Sequence, residues 1–148
     1  METGLYKGSY QFNNERIGRQ RGFEKTYFTI VITDSDGHSF NGWVEDDLST
    51  GGMEGRGTVS GKLYSDGIEF VKNMPYLSII REDSATGEYG QMIDKTKKHE
   101  PIYYDGVEIE NNHYGGKWAF KYGVLMQVAV WLMGAKMGGT WEMSKVNN

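Results

Sequence analysis

Hydrophobic and polar positions alternate along most of this chain. In YFTIVIT (Tyr27–Thr33), Phe28, Ile30 and Ile32 fall on one side while Tyr27, Thr29, Val31 and Thr33 fall on the other. That is the period of a strand with one face buried. DSDG follows as a tight-turn sequence, and HSFNGWVEDD returns as the partner strand. YSDG (Tyr64–Gly67) separates GTVSGKL from IEFVKNM in the same way. PIYYDGVEI and HYGGKWAFKY read as two more strands, and GGTWEMSKV comes last. With GLYKGSYQF at the start and one or two strands between Tyr76 and Met92, the pattern predicts about eight or nine short strands.

One segment breaks the alternation. Val124, Leu125, Val128, Leu132 and Met133 form a helix-like stripe bounded by Gly123 and Gly134. Val124–Met133 is therefore expected as a short helical or apolar insertion near the C-terminus. It can plug one barrel end, add a buried strand, or serve as an apolar lid or oligomer contact.

Glycine placement decides between architectures. The chain has 21 glycines and only 2 prolines. The glycines lie inside patterned segments, as in YKGSY, FNGWV, VSGKL and YGGKW, rather than in linkers. Glycine within strands marks bulges, bends or close backbone approach, and bends repeated around a sheet are what closure into a barrel requires. Sequential connections favour this over a Greek-key sandwich, which needs a long return. The expectation is all-β: an eight-stranded, or nine-stranded, antiparallel up-and-down β-barrel, one domain over residues 1–148.

Period two also sorts the charges. Phe40, Gly42, Val44 and Asp46 share a face, as do Ile68, Phe70, Lys72 and Met74. An acid and a lysine thus lie on core-facing sides. Both come late in strands that run the same way in a meander, so they are expected at one end of the barrel, within mutual reach. A charge removed from water costs several kcal/mol unless it is paired. Asp46 and Lys72 are accordingly candidate polar anchors at one mouth of an apolar cavity; the alternatives are that both sit where strands fray into solvent, or that they form a latch holding the barrel shut. Tyr10, Phe28, Phe40, Phe70, Tyr104, Trp118, Phe120 and Trp141 fall on inward faces; each is core packing in a barrel filled by its own side chains, or together they are candidate cavity walls.

Composition narrows the chemistry. Sixteen basic and twenty acidic residues give a net charge of −4, the wrong sign for a nucleic-acid binder. The basic run DKTKKHE (Asp94–Glu100) has acids at both ends and reads as a solvated loop. There is no cysteine, which excludes disulfides, thiol catalysis and the common structural zinc sites. His38, His99 and His113 are widely spaced, no metal-ligand motif occurs, and neither a metal nor a cofactor is expected. GGMEGRG (Gly51–Gly57) has no Lys–Ser/Thr and opens no helix, so it is not a phosphate cradle. No signal peptide and no apolar run of membrane-spanning length is visible, so a cytoplasmic protein is expected.

Two stretches carry a family resemblance. FTIVITDSDGHSFNGWV (Phe28–Val44) resembles the second and third strands of avidin-type barrels, although Gly37 and Phe40 are spaced differently. GGTWEM (Gly138–Met143) is similar to the Gly–x–Trp strands of avidins and lipocalins, the calycin group. Lipocalins carry Gly–x–Trp near the first strand, whereas here the triplets are Gly116–Trp118 and Gly139–Trp141. The resemblance implies an eight-stranded barrel open at one end with a ligand inside; biotin binding does not follow, because the avidin site residues are not found. The leading expectation is a binder of a small apolar or amphipathic molecule. The alternatives are an isomerase- or cyclase-type enzyme on the same barrel, with Tyr or Asp/Glu as acid and base, and a filled barrel acting as a homo-oligomeric interaction domain.

Overall fold

The computed structural model describes residues 1–82, 85–87, 89–120 and 138–147. Ten strands are present among them: β1 (Gly4–Phe12), β2 (Thr26–Ser35), β3 (Ser39–Asp46), β4 (Arg56–Tyr64), β5 (Gly67–Asn73), β6 (Leu77–Glu82), β7 (Tyr89–Asp94), β8 (Ile102–Glu110), β9 (His113–Phe120) and β10 (Gly138–Lys145). Eight of them close into an antiparallel barrel in the order β1-β10-β9-β8-β5-β4-β3-β2. The first and last strands meet, with Tyr6 opposite Lys145 and Tyr10 opposite Trp141. The expected barrel is therefore present, and its edges are removed by closure.

The strand count differs from expectation in one respect. β6 and β7 pair only with each other, as a hairpin inserted between β5 and β8. Sequence alternation identifies a strand but not its partner, because the partner is set by hydrogen bonds to distant residues. A helix was also not expected: α1 (Glu15–Arg21) follows β1. Its signals are local. The Asn14 side chain accepts from the N–H groups of Arg16 and Ile17, and Gly22 ends the helix in the left-handed conformation at φ 80°. The apolar run Val124–Met133 lies outside the described residues. Among the described residues no helix is long and apolar enough to cross a membrane.

The connections are unequal at the two ends. At one end, tight turns at 36–38, 65–66 and 111–112 join neighbouring strands. At the other, β1 runs into α1, β3 into a short 3-10 turn (Leu48–Thr50), and β5 into the β6–β7 hairpin; β9 ends and β10 begins there too. The short-turn end is shut by Tyr6, whose hydroxyl donates to the Glu2 carbonyl at 2.9 Å, by Tyr114 beside it, and by the Glu2–Lys145 ion pair. Long connections at one end are the usual carriers of sites on a rigid scaffold.

Inward faces follow the period-two reading. Phe28, Ile30, Ile32, Phe40, Val44, Asp46, Ile68, Phe70, Lys72 and Met74 are all buried. Trp43 points outward and is covered by Arg56, whose guanidinium lies 3.9 Å from the ring centroid while its Nε bonds Glu45 at 2.9 Å. Gly61 gives one local reason for glycine in these strands. A Cβ there would lie 2.5 Å from the Phe40 ring and 2.6 Å from Phe70 Cβ, so the missing side chain is the space the two phenylalanines use.

The aromatic interior has an alkaline signature. Burial raises the hydroxyl pKa of Tyr10 and Tyr104 well above 10, with the Asp46 charge adding to it, and burial raises that of Tyr6 to about 12. An unfolded tyrosine ionises near ~10. Above that pH the unfolded chain therefore holds fewer protons than the folded one, and stability falls as pH rises. Tyrosinate absorbance followed with circular dichroism should show a subset of tyrosines ionising only as the fold is lost. Complete ionisation with the barrel intact would contradict the packing described here.

Candidate functional site

Asp46 and Lys72 meet inside the long-connection end. Lys72 of β5 is level with Val59 of β4, which is level with Gly42 of β3. Its side chain therefore reaches along the barrel toward Asp46 at the end of β3. Lys72 Nζ donates to Asp46 Oδ1 at 2.5 Å, with the two side chains 2% and 0% exposed. Two further donors hold the carboxylate: Met53 N–H at 3.1 Å to Oδ2 and, more weakly, the Tyr10 hydroxyl at 3.4 Å. The ammonium also lies over the rings of Tyr10 (5.1 Å) and Phe28 (5.9 Å), whose electron-rich faces favour a cation.

The three consecutive acids at this strand end have separate fates. Glu45 pairs with Arg56 on the surface. Asp46 is the buried partner of Lys72. Asp47 caps the 3-10 turn through Ser49 N–H at 2.9 Å, and its carbonyl accepts from Gly52 N–H at 3.0 Å. That turn folds residues 51–53 back over Asp46, which brings Met53 N–H to the carboxylate.

Above this pair lies a cavity of about 230 Å³. Its described apolar walls are Tyr10, Phe12, Met53, Leu77, Ile102, Tyr104, Trp118 and Phe120; Arg21, Gly51, Ser78, Gln91, His99 and Glu100 complete the lining. The volume lies below the ~300–1,000 Å³ of drug-sized sites. The Trp118 indole N–H is already bonded to the Gln11 carbonyl at 3.1 Å, so this wall offers its ring rather than its donor. Phe12 and Phe120 stand edge-on to Trp118 at 5.0 and 5.5 Å.

The ten residues expected at a site separate into three groups. Tyr10, Tyr104, Trp118 and Phe120 line the cavity. Phe28, Asp46 and Lys72 are buried behind Tyr10, so the ion pair is at the expected end but supports the floor instead of facing the cavity. Phe40, Phe70 and Trp141 fill the other half of the barrel. Phe70 stacks on Tyr104 at 4.6 Å, with Trp141 and Phe40 edge-on to Phe70 at 5.2 and 6.1 Å. The Trp141 indole N–H donates to the carbonyl of Lys117 at 3.0 Å. A wider, more open hollow lies on the outer face of β3, β4, β5 and β8; its polar lining includes Ser60, Lys62 and Glu69.

Several lining residues were not expected. Phe12 and Ile102 continue the alternation of β1 and β8 and were legible on that ground. Arg21 and His99 were not, since both come from segments without a strand period. His99 corrects the reading of Asp94–Glu100 as solvated throughout: Lys95, Lys97 and Lys98 are exposed, but His99 is buried. Its ring lies 5.5 Å from Phe120, and its Nδ1 is 2.7 Å from the Glu100 carbonyl, which fixes the proton on Nδ1.

Arg21, at the end of α1, is held by two neutral acceptors. Its Nη2 donates to Thr26 Oγ1 at 3.0 Å and to the Gly51 carbonyl at 2.8 Å, and the guanidinium lies 4.8 Å from the Phe12 ring centroid. Gly51 has φ 85°, and a Cβ there would sit 2.7 Å from Arg21 Nη2, so both conformation and contact require glycine. Among the described residues no three His, Asp or Glu side chains are grouped to hold a metal ion. Comparisons of the chain with protein-family models, with curated proteins and with solved structures gave no match.

Proposed function

We propose that this protein binds a small, mostly apolar molecule in the cavity at the long-connection end of its barrel. The observation that carries this reading is the partly open hollow of about 230 Å³ walled by Tyr10, Ile102, Tyr104, Trp118 and Phe120. A few polar groups stand at its margin. An apolar hollow with few, placed polar groups is the usual form of a small-molecule site. The rest of the interior is packed with aromatic rings and a paired charge, which gives the walls fixed positions. The sequential eight-stranded closure and the inward Trp141 of the Gly139–Trp141 triplet support a calycin-like assignment as part of the same proposal.

Ile102→Trp is the direct test, because it fills the hollow from a barrel strand. Native mass spectrometry of the purified wild-type protein should reveal a retained small molecule, or uptake of an added one such as octan-1-ol. The Ile102→Trp protein should lose that mass while keeping its β-sheet circular dichroism, at a stability cost of about 1–3 kcal/mol for overpacking. Equal retention by both proteins would remove the cavity as the binding site.

A further inference from the structure

We infer that the ligand of this cavity is an amphipathic anion, a carboxylate in its simplest form, with its head group on Arg21 and its apolar part against Ile102 and Trp118. This rests on the ligand-binding reading above and adds the charge of the ligand to it.

Several cations of this protein form ion pairs with carboxylates among the described residues. Lys72 has Asp46, Arg56 has Glu45, Lys95 has Glu54 and Lys145 has Glu2. Arg21 is half-buried and lines the cavity, yet among the described residues no carboxylate forms an ion pair with it. Its two bonds, to Thr26 Oγ1 and the Gly51 carbonyl, both leave from Nη2. They orient the guanidinium plane without cancelling its charge. The stacking on Phe12 fixes the plane from a second direction. A guanidinium has five N–H donors; with Nη2 engaged by Thr26 and Gly51, the Nε and Nη1 hydrogens remain to give an anion single charge-assisted bonds.

The other charged and titratable groups of the lining do not reverse this. Glu100 belongs to the lining, but it is exposed to water, which screens its charge. His99, with Nδ1 bound to the Glu100 carbonyl, presents an acceptor nitrogen while neutral. The Tyr10 hydroxyl is directed to Asp46, whose own charge is met by Lys72. Among the described lining residues, the charge held away from bulk water is thus the positive one of Arg21. A cationic ligand is repelled there, and a neutral one leaves the half-buried guanidinium without a counter-charge.

Isothermal titration calorimetry with octanoate, octan-1-ol and octylammonium tests this on the full chain. The chain length is held constant, so the apolar contact is common to all three. A charge-assisted contact to Arg21 predicts octanoate binding about tenfold or more tighter than octan-1-ol, with octylammonium weakest. Arg21→Gln should remove most of the octanoate preference, whereas Arg21→Lys should keep part of it because the charge survives. Raising the salt concentration should narrow the wild-type gap. Equal affinity of octanoate and octan-1-ol for the wild-type protein overturns the anion assignment and leaves the cavity reading standing. Failure of all three to bind overturns the cavity reading and this inference with it. The wild-type comparison needs no variant to fold.

Discussion

Replacing Lys72 with methionine is expected to lower folding stability by about 3–5 kcal/mol, the usual cost of leaving one member of a buried ion pair without its partner. Methionine preserves most of the lysine stem, so the loss isolates the charge rather than the packing. Asp46 would keep Met53 N–H and the Tyr10 hydroxyl, two neutral donors in a site from which water is excluded. Adding Asp46→Asn to Lys72→Met should restore at least about 2 kcal/mol, because an amide oxygen still accepts from both donors and no charge is left buried. Urea unfolding of the two single variants and the double gives the coupling directly. Were the pair solvated at a fraying strand end, each single change would cost no more than about 1 kcal/mol. A result of that size would contradict the burial described above.

Phe70→Ala should cost a similar ~3–5 kcal/mol, for a different reason. Phe70 is 3% exposed and is the shared member of three ring contacts, to Tyr104, Trp141 and Phe40. Its removal leaves a void that the closed strands cannot collapse into, since every barrel strand is hydrogen-bonded on both sides. The void would adjoin Tyr104, which is also a wall of the ligand cavity. Dry apolar voids of this kind take up benzene or xenon. The variant should therefore gain a thermal upshift in the presence of benzene that exceeds that of the wild-type protein. Loss of stability below about 1.5 kcal/mol would mean that the rings repack, and the division of the interior into a filled half and an open half would be wrong.

Much of this arrangement was legible in the sequence, and the reasons differ from element to element. Strand faces were readable because side chains alternate with period two. That alone put Asp46 with Phe40 and Val44, and Lys72 with Ile68 and Phe70, on the buried side. Their common end followed from the meander. Which aromatics pack and which line a cavity was not readable, because that depends on height along the barrel axis. Height is set by register, such as Tyr10 opposite Trp141, and register leaves no mark in a single strand. The helix at Glu15–Arg21 was missed because Ile17 is the only buried residue among those described in it, so no apolar stripe advertises it. Asn14 and Gly22, at its two ends, were the available signal. Arg21 and His99 arrive at the cavity from irregular segments, where side-chain direction has no period to read.

The long-connection end thus combines a buried ion pair, an aromatic wall and a guanidinium with no carboxylate partner among the described residues, around a small hollow. The most direct measurement is a methyl-resolved NMR titration with octan-1-ol. The account predicts saturable shifts at the Met53 ε-methyl and the Ile102 δ-methyl, with Met143 and Ile32 unmoved. Shifts confined to the exposed Val107 and Ile109, or none that saturate at Met53 and Ile102, would contradict it.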